Sequence, residues 1–256
     1  MANLKGKIAL VTGGAEGVGK VIALKLAQNG ADVVIADKNI EAANSVAAEI
    51  KAMGKHSIAA EVDLWAYESV KAMADNAVVA MGKIDICIAC GASTPKYAKF
   101  FHEQDPLADY EACLNTQQFA RLYTIRALLD HMKEKNYGKI VIITSDAGRT
   151  PTPRETLIGS AAAGLVLMTK VMAAEFSRWN IRVNCLCLTL IEDTPAQRGV
   201  EDTKAKDIFA KVRQRAKFGI PTAEDVAEAA LFFAGPETDR ITGQILSVNG
   251  GLSFPG

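Results

Sequence analysis

The stretch Thr12-Gly13-Gly14-Ala15-Glu16-Gly17-Val18-Gly19 has the residue types and spacing to hold a pyrophosphate. Gly13, Gly17 and Gly19 let the backbone turn tightly and let an anion come close. An apolar run, Ile8-Ala9-Leu10-Val11, leads in, and Val21 to Ala27 follows with helical spacing. The turn therefore ends a buried strand and opens an amphipathic helix, whose first amides and positive dipole end suit a phosphate. A second strand, Asp32 to Ala36, ends in Asp37. A carboxylate there accepts hydrogen bonds from an adenosine ribose and repels a 2′-phosphate, which favours NAD over NADP. The competing reading is a glycine-tight packing of helix on strand with no ligand.

Other chemistry-bearing residues are sparser. Asp146 and Arg149 follow a strand ending at Thr144 and lie where ligands of parallel sheets bind. His56, His102 and His131 are scattered without carboxylate or cysteine at ligand spacing, so no metal is expected. Lys204, Lys206, Lys211, Arg213, Arg215 and Lys217 form a basic run on a helix predicted over 201–217. That run either holds CoA phosphates or is the solvated face of a helix whose Ile208, Phe209 and Val212 turn inward. Cys87, Cys90, Cys185 and Cys187 fall on apolar strands and are expected as buried, reduced thiols, which fits a cytoplasmic protein.

The elements that position these groups alternate between strand and helix. Helices are predicted over Glu41–Met53, Tyr67–Met81, Leu107–Lys135 (broken near its start), Glu155–Trp179 and Thr222–Ala234. Strands are predicted over Ser57–Ala60, Ile84–Ala89, Lys139–Thr144, Ile181–Leu188 and Gln244–Val248. The pattern predicts an α/β fold: a single Rossmann-type, doubly wound parallel sheet with helices on both faces, as one domain over 1–256. Helices 107–135 and 155–179 have long apolar faces. The second carries Gly159-Ser160-Ala161-Ala162-Ala163-Gly164, small enough for close helix packing, including against another subunit. With 256 residues and 49% hydrophobic content the chain can bury a large core. Zero formal net charge gives no footprint for nucleic acid. No run of about 18 apolar residues for a membrane span and no room for a signal peptide are read from the sequence.

Over its whole length the chain resembles the short-chain dehydrogenase/reductase family. The glycine turn and Asp37 match. So do Asp63-Leu64, Gly138-Lys139-Ile140-Val141, Ile181-Arg182-Val183-Asn184 and Ile241-Thr242-Gly243-Gln244 with Asn249-Gly250-Gly251. The resemblance implies a nucleotide site of Gly13, Gly17, Val18, Gly19, Asp37, Asp63 and Leu64. It implies catalytic-site roles for Asn115 and Ser145. The stretch Ser145–Arg149 and the ending Gly243–Val248 are most similar to members acting on hydroxyacyl-CoA thioesters.

The chain departs from the family where protons move. Ile158 stands at the tyrosine position and Ala162 at the lysine position four residues on. Neither side chain can carry or tune a proton. Ala89-Cys90-Gly91-Ala92 replaces Asn-Asn-Ala-Gly, and Leu188-Thr189 replaces Pro-Gly. Loss of a ribose-binding lysine is expected to weaken NAD by about 2–3 kcal/mol, some 30- to 150-fold. Asn115 and Ser145 are then remnants, with no catalytic set intact, and NAD is bound weakly or not at all by this chain. The resemblance implies a non-catalytic subunit of a hetero-oligomeric NAD-dependent dehydrogenase, paired through helices 107–135 and 155–179 in a heterotetramer. NAD is expected on the active partner. Two alternatives stay open: a lyase, isomerase or dehydratase using Ser145, Asp146 or Arg149, and a sensor that binds NAD without turnover. Neither a nucleic-acid nor a membrane partner is expected.

Overall fold

A computed structural model describes residues 3–91, 95–192, 194, 195, 197 and 212–255. Seven parallel strands form one sheet in the order β3-β2-β1-β4-β5-β6-β7. They are β1 (Ile8–Thr12), β2 (Asp32–Asp37), β3 (Ser57–Glu61), β4 (Ile86–Ala89), β5 (Gly138–Ser145), β6 (Ile181–Leu188) and β7 (Ile245–Val248). The helices are α1 (Gly17–Gln28), α2 (Ile40–Ala52), α3 (Tyr67–Met81), α4 (Tyr110–Leu114), α5 (Ala120–Glu134), α6 (Thr156–Phe176) and α7 (Ala223–Ala234).

Every residue of β1 and β4 is buried, and β5 is buried up to its last residue, so these strands read as unbroken apolar runs instead of alternating ones. Alternate side chains feed two cores. Ala9, Val11, Val33 and Ile35 pack with Ile22 and Leu26 of α1, Val46 and Ile50 of α2, and Val226 and Ala230 of α7. Leu10, Val34 and Ala36 pack on the other face with Val70 of α3, Leu128 of α5 and Leu165 of α6. This is the doubly wound arrangement predicted. Burying both faces removes a large apolar area from water, at roughly 25 cal/mol per Å².

The strand order reverses between β1 and β4, because β2 lies on one side of β1 and β4 on the other. The carboxyl ends of those two strands therefore open a crevice, the usual ligand position in such sheets. The long helix predicted over 107–135 is in three parts. Leu107 is exposed, and α4 begins only at Tyr110. Asn115–Phe119 is a π-turn, closed by the Ala120 amide donating to the Asn115 carbonyl five residues back. The predicted break is thus a widened turn. The cap predicted for α7 is present: Thr222 accepts from the Asp225 amide at 3.3 Å, and Asp225 accepts from the Thr222 amide at 2.8 Å.

Candidate functional site

The glycine turn sits where the sequence put it, between β1 and α1. Gly13 and Gly17 have φ of +63° and +53°, a region that favours glycine. A Cβ on Gly13 would stand 2.5 Å from the Gly91 Cα, and one on Gly19 would collide with the Gly13 carbonyl. Thr12 ties the turn to the segment after β4, its hydroxyl accepting from the Cys90 and Gly91 amides at 3.1 and 3.2 Å. Asp37 accepts from the Ala15 amide at 3.2 Å and the Asn39 amide at 3.0 Å. A carboxylate has about four acceptor sites, so two contacts leave room for a ribose. Asp63 accepts from the Trp65 amide at 2.9 Å, and a Cβ on Gly91 would collide with Leu64. Gly13, Asp37 and Leu64 therefore border one crevice. Val18 lies in the first turn of α1, and Glu16 is exposed and makes no cap bond with that helix. The carboxylate of Glu16 thus faces solvent, where its cost to a nearby phosphate is small. These residues fit the adenosine half of a dinucleotide.

The opposite half of the crevice is built differently. Ser145 ends β5 and accepts from the Ala147 amide at 3.2 Å, capping the short 3₁₀ turn Asp146–Gly148. Ile158, at the tyrosine position, is buried in an apolar cluster with Tyr97 and Cys113. Ala162, at the lysine position, is also buried. The turn after β5 presses on it: a Cβ on Gly148 would lie 2.6 Å from the Ala162 carbonyl carbon. The described side chains at these two positions offer nothing to hold a nicotinamide ribose or pass a proton. Asn115 opens the π-turn and contributes its carbonyl to it.

Asp146 and Arg149, candidates for alternative chemistry, are committed elsewhere. Asp146 is buried and accepts from Ser247 Oγ at 2.5 Å, Asn249 Nδ2 at 2.8 Å and Ser253 Oγ at 2.8 Å. Arg149 donates to Ser247 Oγ at 2.9 Å and to the Pro255 carbonyl at 3.0 Å. Together they clasp the C-terminal segment to the turn after β5.

Sequence reasoning missed three features here. The segment 95–109 is fastened over the buried Tyr97. Lys99 pairs with the buried Asp109 at 2.7 Å, and the Arg154 guanidinium donates to the Ala98 carbonyl at 3.2 Å while lying 4.8 Å from the Phe100 ring centre. Arg121 on α5 is buried and donates to the carbonyls of Ile143 at 2.7 Å and Thr116 at 2.8 Å, joining the π-turn to β5. Glu155, just before α6, is partly buried, and burial pushes its carboxyl up to about 7 while a hydrogen bond with Ser145 acts the other way. No local pattern marks any of the three, since each depends on a partner distant in sequence.

Burial pushes the Cys87 thiol up to about 12 and those of Cys90 and Cys113 up to about 11, so they are poor nucleophiles. Among the described residues no three His, Cys, Asp or Glu side chains gather as a metal set. Of the basic run, Lys204, Lys206 and Lys211 lie outside the described residues, as do Ile208 and Phe209. Ala92, from the altered segment after β4, also lies outside them. The expectation of no run of about 18 apolar residues is corrected, as a matter of composition only. By length and composition the stretch Thr156–Trp179 is apolar enough to cross a membrane, its best window having a mean hydropathy of 1.7. The polar residues within it are mostly Ser and Thr, which lower hydropathy little. Leu165 and Ala173 of this helix pack into the core beneath β5 and β6.

A profile described as Enoyl-(Acyl carrier protein) reductase matches residues 13–253. The 7alpha-hydroxysteroid dehydrogenase of Escherichia coli (strain K12) is 32% identical over 249 residues, covering 97% of this chain and 94% of the relative. The (2S)-[(R)-hydroxy(phenyl)methyl]succinyl-CoA dehydrogenase subunit BbsD of Thauera aromatica is 32% identical over 257 residues, covering 98% of each chain. A solved 7 alpha-hydroxysteroid dehydrogenase, complexed with NADH and 7-oxo glycochenodeoxycholic acid, superposes with a TM-score of 0.89 at 32% identity, covering 97% of this chain and 95% of that one. Profile, relatives and fold agree over nearly the whole chain, which belongs to the short-chain dehydrogenase/reductase family.

Proposed function

We propose that this chain is a non-catalytic subunit of a hetero-oligomeric NAD-dependent hydroxyacyl-CoA dehydrogenase, needed by an active homologous subunit. The observation that carries this reading is the pair Ile158 and Ala162, buried and apolar where the family's reaction needs a hydroxyl and an ammonium. Without them neither of these two positions can take the alcohol proton as hydride leaves. The adenosine half of the crevice keeps its glycines, Asp37, Asp63 and Leu64, so NAD binds this chain weakly or not at all, and productively on the partner.

The partner surface proposed is the exposed side of α5 and α6. Leu167 and Val171 are 64% and 47% exposed on α6, one helical turn apart, which favours burial against a second subunit. A heterotetramer through these helices accounts for a long apolar helix that is only partly buried in its own chain. The Thauera relative is itself described as a subunit of a dehydrogenase acting on a succinyl-CoA thioester. The substrate class proposed for the complex is accordingly (2S)-[(R)-hydroxy(phenyl)methyl]succinyl-CoA or a related hydroxyacyl thioester, which fits anaerobic toluene (benzylsuccinate) degradation in the cytoplasm.

Co-expression with an intact homologue tests the reading. A mixed oligomer by native mass spectrometry, with NAD reduction that neither chain gives as well alone, is the expected result. A stable homo-oligomer that ignores such a partner counts against it. Calorimetry with NAD and ADP-ribose supplies a second arm: equal, tight binding of both favours the sensor reading instead.

A further inference from the structure

We propose that Phe101 and Arg154 form a docking site for the adenosine 3′,5′-bisphosphate end of coenzyme A. The choice of a CoA thioester rests on the function proposed above; the ring and the cation that make the site do not. The segment 95–109 contains three acids, and each is spent inside it. Glu103 accepts from the Phe100 amide at 2.9 Å, Asp105 from the Leu107 amide at 2.9 Å and Asp109 from Lys99 Nζ at 2.7 Å. Arg154, which fastens this segment, has no carboxylate partner among the described residues. Its Nε and Nη2 both donate to the Ala98 carbonyl, at 3.3 and 3.2 Å, so Nη1 keeps its protons for an anion. The guanidinium is also held there against a preference of the backbone. Arg154 has φ of +75°, a region that long side chains rarely adopt. Strain of this kind persists where the surroundings enforce it and gathers at ligand sites.

Flat rings lie beside the cation. The Arg154 guanidinium is 4.8 Å from the Phe100 ring centre, and the His102 ring stacks on Phe100 at 5.8 Å with 10° between the planes. Phe101, next in the chain, is 63% exposed. A base stacks on such a ring through its π-face. Gln104 adds an independent observation. Its amide donates to the Phe101 carbonyl at 3.3 Å, yet its buried Oε1 has no hydrogen-bond partner among the described residues. A buried acceptor left this way lacks a donor, and the 6-amino group of adenine is one.

The neighbourhood suits the rest of CoA. Pro151, Thr152, Pro153, Glu155 and Thr156, close to Arg154 in the chain, line a cavity of about 460 Å³. Proline rings and threonine hydroxyls together match a pantetheine arm, in which methylenes alternate with amides. Arg154 takes the phosphate by charge-assisted hydrogen bonds, and Phe101 takes the base. A subunit that holds the nucleotide end leaves the thioester end to the active partner.

Calorimetry on the purified full chain with adenosine 3′,5′-bisphosphate tests the site. Binding is expected, and saturating ADP-ribose is expected to leave it unmoved, because the glycine-turn crevice is a separate place. Phe101→Ala should weaken it roughly fivefold or more, the effect of losing one base stacked on a ring. Arg154→Gln should weaken it about tenfold or more, and Arg154→Lys should recover part of the loss. Phe101 is exposed, so Phe101→Ala reads the site even if Arg154→Gln does not fold. Absence of binding at millimolar ligand, or affinity unchanged in Phe101→Ala and Arg154→Gln, overturns the site. Displacement by ADP-ribose overturns it too, as does equal affinity for pantetheine 4′-phosphate, which has no adenine. No binding in a chain that still assembles with an active homologue refutes this site alone. Binding in a chain that ignores any partner upholds the site and refutes only the subunit reading.

Discussion

Replacing Asp146 by alanine is expected to release the C-terminal segment from the turn after β5. The carboxylate takes three hydrogen bonds, from Ser247 Oγ at 2.5 Å, Asn249 Nδ2 at 2.8 Å and Ser253 Oγ at 2.8 Å. Hydrogen bonds to a charged group are worth roughly 1.5–3 kcal/mol each, so simple addition gives about 4.5–9 kcal/mol. The sum is too large, because the donors do not all stay unpaired. Asn249 Nδ2 keeps the Ser253 carbonyl as an acceptor at 2.9 Å. A loss of about 3–4 kcal/mol is the better figure. With a urea slope near the upper end for small proteins, about 3 kcal/mol/M, the unfolding midpoint falls by roughly 1 M. Asp146→Asn keeps the size and one acceptor and is expected to recover less than half of this. Equilibrium urea unfolding measures the loss, and hydrogen exchange over residues 247–255 locates it. A loss under about 1 kcal/mol with 247–255 still protected would refute the clasp.

Further outcomes follow from other contacts. His131 accepts the Ile84 amide at 3.1 Å through Nε2, and burial lowers its proton affinity. The unfolded chain, with an ordinary histidine near 6.5, therefore binds the proton first. The His131 contribution is complete above about pH 6.5 and is lost as pH falls through the lower folded value, and His131→Gln should flatten that part of the urea midpoint profile. Leu167→Glu with Val171→Glu is expected to abolish assembly, seen by analytical ultracentrifugation, while shifting the stability of the isolated chain by under about 1 kcal/mol, since both side chains are exposed in it. Gly19→Ala is expected to cost about 2 kcal/mol or more by thermal unfolding, because its Cβ meets the rigid Gly13 carbonyl.

The sheet and its helices were legible because burial on both faces writes itself into the chain as apolar runs separated by periodic segments. Tyr67–Met81 and Ile181–Leu188 have the bounds that their residue types predict. The Thr222 cap was legible because capping is a local bond with its own residue types. The glycine turn was legible for the same reason. The other half of the crevice was legible only as a loss, Ile158 and Ala162 in place of a proton-moving pair. The packing of Tyr97 with Ile158 was not, because Lys99 with Asp109 and Arg154 with Ala98 fasten the segment 95–109 through contacts that spacing does not reveal. Asp146 and Arg149 misled for a related reason. Charged residues after a central strand signal a ligand, but here their partner is the chain's own end, about a hundred positions on. The π-turn at Asn115–Phe119 was foreseen only as a break, since the wider turn is held from outside by Arg121.

The central claim is that protons cannot move at Ile158 and Ala162, and the most direct measurement is NAD reduction by the purified chain without a companion. With NAD and a 3-hydroxyacyl-CoA, absorbance at the reduced-nicotinamide band is predicted to stay at the level of a protein-free control. It should rise when an active homologous subunit is assembled with the chain. Sustained formation of NADH by the lone chain would contradict the account.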